Sequence, residues 1–489
     1  MKKITALLLV TLLLFVSLSN VIAAKKKDPE PTAEPIPQPT LSPDAPEYDA
    51  ERPENLSPDQ LYALSAVLMT QDKGEVIFEK DADTIRYPAS MTKIMTVLLA
   101  LLFADDLYET VTVSETAVNI PSDSSSMYLK PEEEVRLIDI IYGTMLLSAN
   151  DGANVIAETI SGDIPHFVDL MNDTAAMFGC TNTHFVNAHG YHDDNHYSTA
   201  RDIAIIAREA MKNDMFRQIA GTVTYQIPRS NKQRARTITT KSEYMLTGSE
   251  DNPNYYYYPY ATGIKTGSHT RSGYCFAGAA EKDGVELISV VMFTGRKARW
   301  ADTIKLMNYG FSQYVSVSPV DLYNMHPITV ETSNYSLSDP DSGKIQLICS
   351  PVRGDTQIVT TKSDVQRMAD NLNDYVMIQR SRDLQAPIQA GEEISTMTYF
   401  PEKGDPVIYS LTASRTVEKR ENAPKTLEQI VAETYADPNP FPPFTFEFAV
   451  ILFSPLLILT GIIAFLVILR KKRSTHKMRT PKPVNRYVK

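Results

Sequence analysis

The sequence predicts an α+β protein: an antiparallel sheet covered by helices, then a small all-β domain, then a C-terminal transmembrane helix. Three observations carry this reading. Between residues 61 and 320, strand-like alternation occupies both ends and helical patterns fill the middle. From 322 to 417, short runs such as Ile328-Thr329-Val330-Glu331-Thr332 and Val407-Ile408-Tyr409-Ser410-Leu411 alternate between turn residues. Residues 448–469 hold no charged side chain. As a helix they reach about 33 Å, enough for a hydrocarbon core of roughly 30 Å.

In chain order, Lys2 and Lys3 precede an apolar run, and Val21-Ile22-Ala23-Ala24 offers a small-residue cleavage site. Residues 1–24 therefore read as a secretory signal peptide. Residues 25–55 carry prolines at 29, 31, 35, 37, 39, 43, 46 and 53 and read as an extended linker. A catalytic-sized domain follows over 56–320. It begins with a hairpin, residues 62–69 and 75–78 around Gln71-Asp72-Lys73-Gly74.

Tyr87-Pro88-Ala89-Ser90-Met91-Thr92-Lys93 then opens the dense apolar run 94–103, predicted as a buried helix with Ser90 in its first turn. Further helices are predicted over 132–147, 153–159, 164–178 and 199–211, with a break at Ser148-Ala149-Asn150-Asp151-Gly152. Residues 223–249 read as polar and strand-like, and Tyr255–Tyr258 as an aromatic loop. Sheet returns over 263–267, 274–280 and 285–293, with Asp283-Gly284 as a hairpin turn, and a helix over 301–311 closes the domain. The β-rich domain is assigned to 321–417, a second linker to 418–447, the span to 448–469 and a basic tail to 470–489.

Charge and cysteine count narrow the function. Arg470-Lys471-Lys472-Arg473 directly follows the span, which predicts a single-pass protein with a cytoplasmic tail and its folded part outside the cell membrane. With the nine basic residues of the tail set aside, the formal charge of −11 becomes −20. So acidic an exported part argues against nucleic-acid binding. Cys180, Cys275 and Cys349 are too few and too scattered for a disulfide framework, and none suits a catalytic thiol.

Ser90 and Lys93 are one helical turn apart and share a face. A hydroxyl at a helix start faces free N–H groups, and a lysine in apolar surroundings loses stability as a cation and can serve as a base. By itself Ser-x-x-Lys is more often an ordinary cap beside a solvated lysine. Ser148-x-Asn150 offers a hydroxyl and a carboxamide on one side of a bend. Lys265-Thr266-Gly267, on a predicted strand, offers a cation, a hydroxyl and a glycine that lets a ligand approach the backbone. Each of these is also a plausible turn or strand end.

In the order Ser-x-x-Lys, Ser-x-Asn, Lys-Thr-Gly, the three match a known catalytic set. With Asn187-x-His189-Gly190, His196-Tyr197-Ser198-Thr199-Ala200-x-Asp202, Gly263-Ile264-Lys265-Thr266-Gly267 and Asn308-Tyr309-Gly310-Phe311, the chain over 61–417 resembles the low-molecular-mass penicillin-binding proteins. These are the D-alanyl-D-alanine carboxypeptidases of serine peptidase family S11. The resemblance implies the penicillin-binding, β-lactamase-like transpeptidase fold. It implies Ser90 as nucleophile, Lys93 as base and Ser148 as proton relay. Asn150, Lys265, Thr266, Gly267 and Ser268 would bind substrate, with the N–H groups of Ser90 and Ser268 as the oxyanion hole. The implied partners are a peptidoglycan stem peptide ending in D-Ala-D-Ala, β-lactam antibiotics and, through the C-terminal helix, the membrane. No cofactor and no metal are implied.

Two alternatives share the fold: a D,D-endopeptidase and a β-lactamase. The second needs a glutamate to activate the deacylating water, and Glu209-Ala210-Met211-Lys212-Asn213 supplies a superficial match. Glu209 lies in an amphipathic helix, where a solvated face accounts for it. The cluster His189, His192, Asp193, Asp194 and His196 lacks the spacing of a metal site. The tyrosines 255–258 and Tyr260 read as loop packing, or as the rim of a cleft leading to Lys265.

Overall fold

A computed structural model describes residues 46–249, 251–380, 383–401, 404–421, 426–436 and 446–475. The expected signal peptide, most of the first linker and the tail beyond 475 lie outside the described residues. By internal contacts the chain divides into two compact units, Met1–His326 with Pro351–Ile378 and Met397–Tyr409, and Pro327–Ser350 with Gln379–Thr396 and Ser410–Lys489.

The first unit opens with the expected hairpin, β1 (Ser65–Thr70) and β2 (Val76–Lys80). A short 3-10 turn, Ala89–Thr92, runs into α1 (Lys93–Phe103). Then come β3 (Thr110–Thr112), α2 (Glu115–Val118), β4 (Glu134–Arg136), α3 (Leu137–Leu146), α4 (Asn150–Ser161), α5 (Ile164–Met177), α6 (Ala200–Met211) and α7 (Asp214–Ala220). The pairs β5 (Thr224–Ile227) with β6 (Arg236–Thr239) and β7 (Gly248–Ser249) with β8 (Asn252–Pro253) precede three long strands. These are β9 (Ala261–His269), β10 (Gly273–Lys282) and β11 (Val285–Thr294), followed by α8 (Ala298–Gln313).

The central sheet runs in the order β2-β1-β11-β10-β9, with each pair antiparallel. Both faces are covered, and the two-residue period of a strand sorts its side chains between them. Val67 and Met69 of β1, with Val290 and Met292 of β11, join the large core formed with α1, α3, α4, α5 and α6. Ala66 and Leu68, with Leu287 and Phe276, face α8 and the fully buried Trp300. A helix packed on both sides accounts for α1, whose residues from Lys93 to Ala100 are all buried.

The helix predicted over 132–147 starts later. Val113 N–H donates to Glu133 O (2.9 Å), Glu132 N–H donates to Val113 O (2.7 Å), and 134–136 pair with 110–112. The buried Glu133 carboxylate accepts from Lys130 N, Ser230 Oγ and Gln233 Nε2, so these residues are claimed by ladder and side chain. Helix α4 begins at Asn150, three residues before its predicted start. Helix α7 was not predicted, although Asn213 marks its start by accepting from Phe216 N–H at 3.0 Å.

Beyond α8 the chain forms β12 (Tyr314–Val317), α9 (Pro319–Met325), β13 (Thr329–Glu331), β14 (Lys344–Pro351), β15 (Ile358–Thr361), α10 (Lys362–Asp370), β16 (Val376–Arg380), β17 (Glu393–Tyr399) and β18 (Val407–Ala413). A second five-stranded sheet has the order β13-β14-β18-β17-β16. The expectation of purely β structure after 321 is corrected by α10. Thr361 caps that helix, its Oγ accepting from Asp364 N–H at 3.2 Å. Met368 and Ala369 are buried in it, and with Val365 and Leu372 they form an apolar stripe at helical spacing that the sequence reading passed over. Next are α11 (Leu427–Ala436) and α12 (Phe446–Thr475), the latter containing Pro455. Within α12, Phe453–Arg470 is long and apolar enough to cross a membrane, with a mean hydropathy of 2.3 and none of it buried.

Candidate active site

Ser90 sits in the 3-10 turn ahead of α1, not in the first turn of the α-helix itself. Ala89 before it has φ +48°, a left-handed conformation that costs energy for any residue with a Cβ. The neighbours hold it there. Thr92 Oγ donates to Ala89 O (2.8 Å), so its oxygen is left to accept from His196 Nε2–H (2.8 Å). His196 Nδ1 in turn accepts from Val186 N–H (3.1 Å), which fixes a neutral ring with the proton on Nε2. Burial pushes that ring down to about 3, and His184, Lys93 and His192 add to the effect.

Two glycines from distant segments press on the same turn. A Cβ on Gly190 (φ +79°) would lie 1.9 Å from Ala89 O, and one on Gly267 would lie 2.9 Å from Pro88 O and 3.3 Å from Ala89 Cβ. The bare backbone of Gly267 lets β9 pack against the Ser90 turn.

Lys93 is fully buried at the first position of α1. Its Nζ lies 3.1 Å from Ser90 Oγ, 2.7 Å from Asn150 Oδ1 and 2.6 Å from His189 O. The Asn150 amide is oriented by its other end, where Nδ2 donates to Ser124 Oγ at 3.0 Å. The His189 carbonyl is presented by a turn in which Asn187 Oδ1 accepts from His189 N–H and Gly190 N–H. Burial drives the Lys93 pKa well below 10.5, the nearby Lys265 and Lys241 lower it further, and Asp151 opposes them. A neutral Lys93 can donate its two hydrogens to Asn150 and His189. Its lone pair is then left for the Ser90 hydroxyl proton.

The other expected residues lie in the bend before α4 and along β9. Ser148 is buried in the bend between α3 and α4 with φ +62°, and the bend delivers Asn150, two residues on, to Lys93. Lys265 on β9 is 2% exposed and donates to Thr266 O at 3.1 Å. Burial, followed by Lys241 and Arg299, lowers it to about 7. Thr266 and Ser268 stay reachable from solvent on β9, the edge strand of the sheet.

Several supporting residues escaped the sequence reading. Asp151, read there as part of a turn, is a buried brace that accepts from Ser126 Oγ, Met127 N–H and Leu129 N–H and so holds the 124–129 loop over α4. Lys241 donates to Ser125 Oγ. Arg299 on α8 is largely buried, lies 4.2 Å from the Trp300 ring centroid, and is lowered to about 10 by burial. A lone Lys or Arg in a polar stretch gives no periodic signal, so only the three-dimensional convergence exposes them.

Other candidates prove structural. His189 accepts from Tyr191 N–H and His196 from Val186 N–H. Among the described residues no group of three or more His, Cys, Asp and Glu is placed to hold a metal. Glu209 pairs with Arg208 on α6 and with Lys212 just past its end. Tyr256, Tyr258 and Tyr260 pack on the α8 side of the sheet, with Tyr258 Oη donating to Asn308 Oδ1. The three cysteines are free and buried.

The chain is similar to known proteins. A family model described as D-alanyl-D-alanine carboxypeptidase, Peptidase_S11, matches residues 52–295. A D-alanyl-D-alanine carboxypeptidase of Bacillus subtilis is 30% identical over 68% of this chain and 80% of its own. One from Streptomyces sp. strain K15 is 32% identical over 51% of this chain and 87% of its own. The crystal structure of the Streptomyces K15 DD-transpeptidase covers 51% of this chain and 97% of its own, at 30% identity and a TM-score of 0.47. With Ser90, Lys93 and Asn150 brought into hydrogen-bonding contact and a relative matched over four fifths of its length, this chain belongs to the S11 family of D-alanyl-D-alanine carboxypeptidases.

Proposed function

We propose that this protein is a serine-type D-Ala-D-Ala carboxypeptidase that removes the terminal D-alanine from peptidoglycan stem peptides. Ser90 attacks the carbonyl of the penultimate D-alanine, and Lys93 takes the hydroxyl proton. Ser148 relays a proton to the leaving amine, and an acyl-enzyme forms on Ser90. Asn150 serves twice, holding Lys93 and meeting the substrate backbone. The cations of Lys265 and Arg299 suit a terminal carboxylate, with the Thr266 hydroxyl beside them. The N–H groups of Ser90 and Ser268 complete the oxyanion hole. β-Lactams acylate Ser90 by mimicry, and no cofactor takes part.

The observation that carries this is the buried Lys93, whose hydrogens have acceptors in Asn150 and His189 and whose remaining position faces Ser90 Oγ. The test is labelling with a fluorescent penicillin, in the wild type and in Ser90→Ala, together with release of D-Ala from a D-Ala-D-Ala peptide. Label and D-Ala release that both vanish in Ser90→Ala support the reading. An intact protein that takes no label sinks it, and fast β-lactam turnover without D-Ala release favours a β-lactamase. Cleavage of cross-linked dimers in preference to pentapeptides would favour a D,D-endopeptidase.

The same reading places the catalytic domain at 56–320 and the β-rich domain at 321–417, on the extracytoplasmic side. The apolar stretch of α12 crosses the membrane once and the basic tail is cytoplasmic. Support comes from the length and hydropathy of Phe453–Arg470 and from the basic residues that follow. Protease added to intact cells should remove the folded part and spare a tag on the C-terminus; the reverse pattern would refute this topology.

A further inference from the structure

We infer that Lys241 is a positioning residue of the acylating site: through Ser125 it holds Asn150 against Lys93, and its charge adds to the field around that base. The inference rests on reading Ser90 and Lys93 as the acylating pair. Lys241 follows β6, and its Nζ donates to Ser125 Oγ (3.1 Å), 116 residues earlier in the chain. Ser125 O accepts from Asn150 N–H (2.8 Å), and Ser124 Oγ accepts from Asn150 Nδ2 (3.0 Å). This serine pair therefore grips Asn150 by its main chain and by its carboxamide. Asn150 Oδ1 then meets Lys93 Nζ at 2.7 Å. The relay Lys241–Ser125–Asn150–Lys93–Ser90 is continuous, and Lys241 is its only member drawn from the 224–245 segment.

The groups that face Lys93 are Lys265 on β9, Asp151 on α4, the rings of His189 and His196, and Lys241. Lys241 is the cation most open to solvent among them, so its electrostatic share is the most easily screened by salt.

The test is the acylation rate of the full-length protein by a fluorescent penicillin, measured against pH. Lys241→Met should slow acylation about tenfold or more, because a small misplacement of reacting groups is enough for that. Its acid limb should also move to higher pH, since losing a cation favours the protonated Lys93. The movement should fade in about 1 M salt, where the Debye length is about 3 Å. Lys241→Arg should restore most of the rate and the limb. Ser125→Ala should slow acylation yet leave the limb in place, and the double variant should be no slower than Lys241→Met. Lys241→Met acylating at the wild-type rate with an unmoved limb overturns the inference. A slowdown that accompanies a lowered Tm and is not restored by arginine also overturns it. Absence of label on the wild type would instead remove the underlying assignment of Ser90.

Discussion

Lys93 Nζ stands 3.1 Å from Ser90 Oγ at the end of a side chain from which water is wholly excluded. A lysine in that position has its pKa lowered first by burial and then by Lys265. The neutral, proton-accepting form therefore grows as pH rises through the lowered value.

Lys265 should consequently set the pH dependence of acylation as well as hold a carboxylate. In Lys265→Met the Lys93 pKa rises, so the acid limb of the labelling rate should move to higher pH. Substrate affinity should fall in the same variant. Weakened binding with an unmoved limb would count against the coupling.

Stability should respond in the opposite sense. Lys265 sits near 7 in the folded protein and near 10.5 when unfolded, so the unfolded chain gains its proton first as pH falls. The wild type therefore loses stability between about pH 10.5 and about pH 7, by at most ~5 kcal/mol at 1.36 kcal/mol per unit. Lys265→Met should escape this loss, raising stability at pH 7 by about 1–3 kcal/mol and less at pH 10. Thermal unfolding at the two pH values reads it; an equal gain at both would refute the linkage.

Asn150→Asp changes little in shape but places a carboxylate 2.7 Å from Lys93. That charge favours the ammonium form and removes the base. Acylation at pH 7 should drop about 100-fold, with the limb displaced upward and Tm not reduced. Labelling kinetics and calorimetry on the same preparation check both parts.

Gly267→Ala introduces a Cβ 2.9 Å from Pro88 O. Either β9 or the Ser90 turn must move. We expect a stability loss of about 1–3 kcal/mol, as for other overpacked sites. The acylation loss should be about tenfold or more, out of proportion to that destabilisation. A variant with wild-type acylation would show that β9 does not locate the turn.

Glu209→Gln should leave both acylation and the decay of the acyl-enzyme unchanged. Its partners are Arg208 on its own helix and Lys212 at that helix's C-terminal cap. Slower hydrolysis of bound penicillin in this variant would revive the β-lactamase alternative.

What the sequence made legible was what has a period or a motif. The hairpin at 65–80, the buried helix after Ser90, the three long strands around Asp283-Gly284 and the apolar run 448–469 within the last helix all announce themselves through alternation, turns or uninterrupted hydrophobicity. Residues 132–136 misled because Glu133 is a buried polar side chain satisfied by Ser230 and Gln233, partners about a hundred positions away. Helix α10 was passed over although its signals are present, the Thr361 cap and the spacing of Val365, Met368, Ala369 and Leu372, because it is a short helix set among strand-like runs. At the site, motif order pointed to Ser90, Lys93, Ser148, Asn150 and Lys265, of which Ser90, Lys93 and Asn150 meet in hydrogen-bonding contact, while the His189 carbonyl could not be read because every residue has one. Lys241 and Arg299 matter only through where the chain brings them.

The bracket of Gly190 and Gly267 around the Ser90 turn has a consequence for drug escape. Both glycines press on the backbone that carries Ser90, the nucleophile of the proposed reaction. A change that loosens the bracket withdraws the hydroxyl from an antibiotic and from the wall peptide alike. On the proposed role of Ser90, a change at this turn is expected to cost the protein its wall peptide along with the antibiotic, which makes the turn a poor place for selective resistance to arise.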